Sequence, residues 1–418
     1  MTVPVGGSPL LSDEQVRRAQ SRTRAVLIAG QVLAGIGMGS TLSAGALLVT
    51  QVSGSPAWSG MAATMTTVGA ALASVPLARL ARRAGRAPAL ATGAVTAALG
   101  AVVGILAAVL VSLPLLLLAL ALIGVGTAVN LQSRFAATDL SEPRHRGRDL
   151  ALVVWATTVG AIAGPNLIAP ADAVGIAVGL PELSGPFLFT LAAQAIASVL
   201  YLVALRPDPL KMAERLRLER PVSAVVESVA DANGVRTGLI ALALSHATMV
   251  AVMSMTPVHL VAHGATLVVV GVTISLHVAG MYALAPLFGI LSDRLGRGRT
   301  IAIGQAMLLA SLLTTALGAE SQAAVVVGLV LLGLGWSAAT VSASALISES
   351  APADRRTVIQ GRSDLLMSAT GAVGGALAGP VLALVGYAGL ALSTLLLVVV
   401  VLVALTWRAV RRTPAARN

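Results

Sequence analysis

The chain has 418 residues, 56% of them hydrophobic and 11% charged, and a mean hydropathy of +0.89. Soluble globular domains do not carry that balance, so a membrane protein is expected. A net charge of +11 raises nucleic acid as a partner, but only 3% of the residues are aromatic. Basic nucleic-acid surfaces interleave their charge with aromatic rings, so that reading fails. The chain has no cysteine, which excludes disulfides and thiolate metal sites.

Residues 1–24 hold Asp13, Glu14 and four arginines ahead of the first apolar run. A cleavable signal sets its charge directly against a short apolar core, so the first run is expected to stay as an anchor. Twelve apolar runs follow, each near the roughly 20 residues that span a bilayer. They cover 25–51, 57–80, 87–111, 114–138, 149–170 and 185–205, then 238–262, 267–291, 299–318, 321–347, 361–384 and 388–408. With both termini inside, all 28 Lys and Arg fall in the termini, in the even-to-odd connections or at the run ends beside them. The outward loops hold Asp172, Glu182 and Glu320. That asymmetry predicts cytoplasmic termini in a multi-pass protein of the cytoplasmic membrane.

Residues 206–236 are the one long polar stretch after the N-terminal segment, with a charged helical run from Lys211 to Arg220. They predict a cytoplasmic linker between six-helix bundles at 25–205 and 237–408, with 409–418 as a cytoplasmic tail. An internal repeat supports the division. Gly160-x-x-x-Gly164-Pro165 in run 5 returns as Gly375-x-x-x-Gly379-Pro380 in run 11, 215 residues on, and Asp149 and Asp364 keep the same offset. Gly124-Val-Gly126 in run 4 matches Gly333-Leu-Gly335 in run 10. Small residues allow close helix crossing and proline bends a helix. Recurring in register, they point to a duplicated transporter scaffold.

After run 8 the chain reads Gly289-Ile-Leu-Ser-Asp293-Arg294-Leu-Gly296-Arg297. This resembles G-x-L-x-D-R-x-G-R, the cytoplasmic signature of the major facilitator superfamily. The resemblance implies an all-α membrane fold of twelve transmembrane helices in two pseudo-symmetric bundles. The copy after run 2, Ala78-Arg79-Leu80-Ala81-Arg82-Arg83-Ala84-Gly85-Arg86, has Arg82 where the aspartate should stand. Asp293 is expected to close the cytoplasmic side by pairing with a neighbouring arginine or with the positive N-terminal end of run 11. The Gly160, Gly164 and Pro165 element resembles the antiporter signature G-x-x-x-G-P-x-x-G-G, but Ile168 and Ala169 replace its last glycines. Leu120 stands where drug antiporters carry an arginine. Asp139, Asp149, Glu349 and Asp364 all fall near cytoplasmic run ends, so no mid-membrane carboxylate offers itself for proton coupling. A histidine is the remaining candidate.

Four of the five histidines and four of the eleven methionines lie between His246 and Met281: His246, Met249, Met253, Met255, His259, His263, His277 and Met281. At about 1.5 Å per residue, Met249 and Met281 sit about 16 and 15 Å from the cytoplasmic ends of their runs. Met253 and His277 sit about 22 and 21 Å deep. Each pair is spaced i, i+4 on its own helix and shares a face. Three thioethers and an imidazole would form a neutral, soft site of the kind Cu(I) accepts. The same spacing also fits flexible core filling by methionine. His259 and His263 read as an outer uptake path or as hydrated interfacial side chains, with His246 and Met255 as auxiliary ligands.

Met-x-x-x-Met in run 7 followed by His-x-x-x-Met in run 8 resembles the CcoA-like copper importers of the same superfamily. By that resemblance Met249, Met253, His277 and Met281 correspond to copper ligands. Copper is then the transported substrate, no cofactor is held permanently, and the protein works as a monomer in the lipid bilayer. Riboflavin carriers share the scaffold, so an organic solute or a drug stays open as the cargo. No His-Glu-x-x-His motif is present, and no enzymatic activity is expected. From outside the transporters, haem ligation by His246 and His277 is the remaining alternative.

Overall fold

The computed structural model describes residues 12–54, 58, 61–219 and 231–412. Parts of the expected N-terminal segment, linker and tail lie outside these residues. The protein is all-helical in its described part. Helices α1 (Asp13–Ser53), α2 (Met61–Ala84), α3 (Arg86–Val109), α4 (Leu113–Ala136), α5 (Arg146–Asn166), α6 (Ile168–Ala177) and α7 (Gly185–Ala204) come first. A short polar helix, α8 (Pro209–Glu219), falls in the expected linker. Then come α9 (Ala232–Ala262), α10 (Leu267–Tyr282), α11 (Ala285–Leu295), α12 (Arg297–Leu317), α13 (Gln322–Ser350) and α14 (Arg356–Arg412). Among the described residues, nine helical stretches are long and apolar enough to cross a membrane.

Several runs differ from single straight helices. The first helix starts at Asp13, ahead of its apolar run, because Ser12 caps it and Gln15 completes a capping box. Run 8 is two helices, α10 and α11, which meet at Ala283 and Leu284 ahead of Pro286. Runs 11 and 12 lie in one continuous element, α14, broken at Gly386, whose φ of 72° and ψ of −179° leave the helical region. Glycine adopts that conformation without the Cβ clash that other residues meet.

The surface and interior exchange the usual roles. Leu72, Val203, Leu317, Leu384 and Leu396 are exposed, while Ser337, Thr340, Ser342 and Ser344 are buried on α13. An apolar exterior suits acyl chains, which offer backbone groups no partner outside the helices. With no hydrophobic drive between helices in lipid, close packing of small residues holds them together. A Cβ on Gly124 of α4 would stand 2.1 Å from the Thr66 carbonyl oxygen of α2, and one on Gly333 of α13 would stand 2.4 Å from that of His277 on α10. The first glycine of each repeated pair thus serves the same crossing in both parts of the chain, while Gly335 meets Gly304 and Leu308 of α12.

Helices α1, α5 and α7 pack together, as do α2, α3 and α4; later in the chain α9 lies on α13 and α14, and α13 also receives α10 and α12. The early helices meet the late ones chiefly through α2 on α14 and α5 on α11, with smaller contacts of α5 on α10 and α13 and of α4 on α14.

The repeat-motif glycines differ in what they touch. A Cβ on Gly160 would come within 2.2 Å of the Gly35 Cα, whereas one on Gly379 meets nothing within 4 Å. Gly375 faces Val250 at 3.3 Å, and the side chain of Pro165, like the surroundings of Gly164, lies outside the described residues. Close packing therefore explains Gly160 and does not explain Gly379. Gly160→Val is expected to lower stability by about 1–3 kcal/mol, read as an earlier thermal transition in detergent, while Gly379→Val leaves the transition in place.

Candidate functional site: a clasp and a methionine–histidine core

At one end the two parts of the molecule are clasped along two seams. In the first, α11 crosses α5 where Gly289 meets Gly147: a Cβ on Gly289 would stand 2.6 Å from the Gly147 carbonyl oxygen. One turn on, the Asp293 carboxylate accepts hydrogen bonds from the backbone amides of Gly147 and Arg148, each at 2.9 Å. These amides belong to the first turn of α5, so the carboxylate sits on the positive end of that helix. Asp293 also pairs with Arg297. The neighbouring-arginine expectation is met, but the helix end is that of run 5 and not of run 11. The reason is topological: α11 packs on α5, while the start of α14 packs on α2.

Gly296, with φ at 96°, turns the chain from α11 into α12 and sets Arg297 at the seam. Arg297 also donates to the Pro143 carbonyl at 2.9 Å and pairs with Glu349 at 3.2 Å. Arg294 is exposed.

In the second seam a Cβ on Gly361 of α14 would fall 2.2 Å from the Ala78 Cβ of α2. Ala78 opens the degraded copy of the signature. Arg82, in the place of the aspartate, is exposed. Arg86, in the place of Arg297, is 1% exposed. It donates to Asp139 at 2.7 and 3.1 Å and to the Gln360 side chain across the seam at 2.8 Å. Deeper in the same seam, Arg134 of α4 pairs with Asp364 of α14 at 2.6 Å. Both residues are legible in sequence as charges near run ends, but their pairing is not.

The methionine–histidine core lies among α9, α10, α13 and α14. Met249 and Met281 are buried in one apolar cluster with Leu332 and Trp336, and Met253 and Met255 pack against it. Helices α9 and α10 have little direct contact, and both lie on α13. Trp336 of α13 stands between them. Its indole N–H donates to His246 Nδ1 at 3.0 Å, and its ring meets Tyr282 edge-on at 5.8 Å. Trp336 is absent from the sequence-derived site, although a signal was available: tryptophans in membrane helices favour the interfaces, and this one is mid-run.

His277 is fully buried, with Nδ1 2.8 Å from the Leu329 carbonyl oxygen. A carbonyl accepts, so the proton is assigned to Nδ1, which leaves a lone pair on Nε2. Among the described residues that Nε2 has no hydrogen-bond partner. Among the described residues no group of three or more His, Cys, Asp or Glu gathers, so a site at His277 would draw on other donors, such as methionine sulfur.

His259 is buried and not hydrated in a loop. Its Nε2 lies 2.8 Å from the Ala319 carbonyl oxygen, and its ring stacks on Tyr387 at 4.1 Å. The Tyr387 hydroxyl meets Thr256 at 2.7 Å. His263 closes the group, with Nδ1 2.9 Å from the His259 carbonyl oxygen and Nε2 3.7 Å from Glu320.

Bundled apolar helices, a clasp at one end and a polar interior define an integral multi-pass membrane transport protein. The sequence profile described as Major Facilitator Superfamily matches residues 27–272 and 238–418, and the chain belongs to that family. It is 35% identical over 392 residues to the uncharacterized MFS-type transporter YdeG of Bacillus subtilis (strain 168), covering 92% of this chain and 91% of the relative. It is 27% identical over 365 residues to the riboflavin transporter RfnT of Brucella anthropi, covering 87% and 90%. The fold is similar to that of the human organic anion transporter MFSD10 (TETRAN), with a TM-score of 0.71, 15% identity and 92% and 99% of the two chains covered.

The first seam has a direct test. Ala151 is buried against Gly289, so a cysteine placed there reacts with a maleimide only when the seam opens. Asp293→Asn, which leaves the α5 amides facing a neutral amide side chain, is expected to speed that labelling several-fold.

Proposed function

We propose that the protein imports copper across the cytoplasmic membrane by alternating access. In this reading the chain crosses the membrane twelve times, with α10 and α11 forming one crossing and α14 two. Both termini are cytoplasmic, and the clasped end faces the cytoplasm. The conformation described is then outward-facing: substrate enters from the unclasped end, and the clasp must part for release.

The observation that carries the cargo is His277. A buried imidazole lone pair without a partner is costly, and a site that leaves one bare is suited to a hydrogen-bond donor or a metal cation. Met249 and Met281 lie in one apolar cluster with Met253 packed against it, and sulfur with imidazole selects soft cations such as Cu(I). The backbone hydrogen bond at Nδ1 fixes the ring and its tautomer, as ligand histidines in metal sites require. His259, Met255 and His246 are spaced along α9, with His263 just past its end, and supply stations on the way in. No resident cofactor takes part, and a monomer suffices.

A second reading has an observation of its own. The resemblance to a riboflavin transporter covers most of this chain, and Trp336, Tyr282 and Tyr387 supply rings on which a planar organic solute would stack. Radiocopper and riboflavin uptake, measured in the same cells, separate the two. Copper accumulation is expected in the wild type, with a fall of more than about tenfold in Met249→Ala and His277→Ala at unchanged protein level. Riboflavin uptake that survives both substitutions, with no copper uptake by the wild type, would sink the copper reading.

A further inference from the structure

Asp293, Asp139, Asp149 and Asp364 lie at the clasped end, and they differ in how fully they are bound. Asp293 holds two amides and Arg297. Asp139 holds two nitrogens of Arg86, one on each oxygen. Asp149 is satisfied four times over: Oδ1 faces Arg24 at 2.9 Å and Arg148 at 3.6 Å, and Oδ2 accepts from Gln20 and Ser141, each at 2.8 Å. All of those partners lie in the early part of the chain.

Asp364 is the counterpart of Asp149 in the repeat, and its surroundings are the opposite. Its side chain is 0% exposed, and its one ion pair reaches across the seam to Arg134, 3% exposed. Oδ1 accepts from Arg134, while Oδ2 is buried with no hydrogen-bond partner among the described residues. The Arg134 Nε is likewise buried and unbonded, and the Met367 sulfur, 4.0 Å away, offers the guanidinium only a weak acceptor. A pair bound this sparsely adds little to the clasp for the charge it buries.

Any parting of the seam separates Arg134 from Asp364, because one stands on α4 and the other on α14. An anionic Asp364 would then leave its only partner among the described residues. We propose that Asp364 is a proton-binding site of the transport cycle, empty while the clasp is closed and filled as it opens. One proton adds to the bare Oδ2 and leaves from the same oxygen on closure; only that O–H bond forms and breaks. Arg134 keeps its charge and is solvated by the water that enters the opened seam. The charged and titratable groups around the site are Arg134 on α4 and Arg86 at the start of α3, with His246 on α9 and Tyr282 on α10 beyond Arg134. Asp139 is held by Arg86. The site does not depend on which cargo is carried.

The chain has no cysteine, so two introduced cysteines carry spin labels without background. Arg82→Cys on α2 and Asp354→Cys ahead of α14 are exposed and flank the second seam. In the full-length protein in lipid nanodiscs, the long-distance population is expected to grow as pH falls from about 8 to about 5. Asp364→Asn should show that population at every pH, and Asp364→Glu should restore the response. In Arg134→Gln the half-opening point should move to higher pH by about one unit or more, and this variant decides the matter alone if Asp364→Asn does not fold. An Asp364→Asn protein that follows pH like the wild type overturns the proposal. So does a response lost equally in Asp149→Asn, or an Arg134→Gln midpoint at the wild-type value.

Discussion

Everything at the clasped end depends on two places where backbones come together with almost no side chain between them. Gly147 against Gly289 and Gly361 against Ala78 bring the helices so close that a single added carbon would overlap a neighbouring atom. In lipid, where apolar side chains gain nothing by leaving their surroundings, such proximity is what makes helix contact favourable. It also brings polar groups into reach of each other. Asp293 reaches the α5 amides only because Gly289 lets α11 lie on α5. Arg86 reaches Gln360, and Arg134 reaches Asp364, only because Gly361 lets α14 lie on α2.

The two seams show how a duplicated sequence acquires distinct halves. The intact signature puts a carboxylate over peptide amides, which carry no titratable proton in this range. The degraded copy has Arg82 in place of that carboxylate, keeps the arginine at Arg86, and takes its anion from Asp139 in the turn after α4 instead. The cross-seam contact then falls to Gln360 and to the buried Arg134 and Asp364 pair. The repeat is thus preserved in geometry while its chemistry has diverged, as it has between Asp149 and Asp364.

Helices and the clasp motif were legible in the sequence because each depends on local pattern: apolar run length, glycine spacing and the turn at Gly296. Partners were less so. The sequence pointed Asp293 at the wrong helix end, since which helices cross at that point is a property of the assembled bundle. The depth argument placed Met249 and Met281 at one level, and both lie in one cluster, but it passed over Trp336 on a third helix between them. His259 looked like a wet interfacial residue because its partners, the Ala319 carbonyl and the Tyr387 ring, lie 60 and 128 residues further along the chain. A side chain's hydration is set by what folds over it, and no window along the sequence contains that.

The break in α14 carries a consequence for how the chain tolerates change. Loops of several residues absorb insertions at small cost, but Gly386 joins two helical stretches with no slack between them. Each helical residue turns the chain by about 100°. One residue gained or lost beside Gly386 would therefore swing Tyr387 off His259 and rotate Leu390, Ala391 and Val398 out of the cluster they share with Met249. Length, as much as composition, is under constraint at that point of the chain.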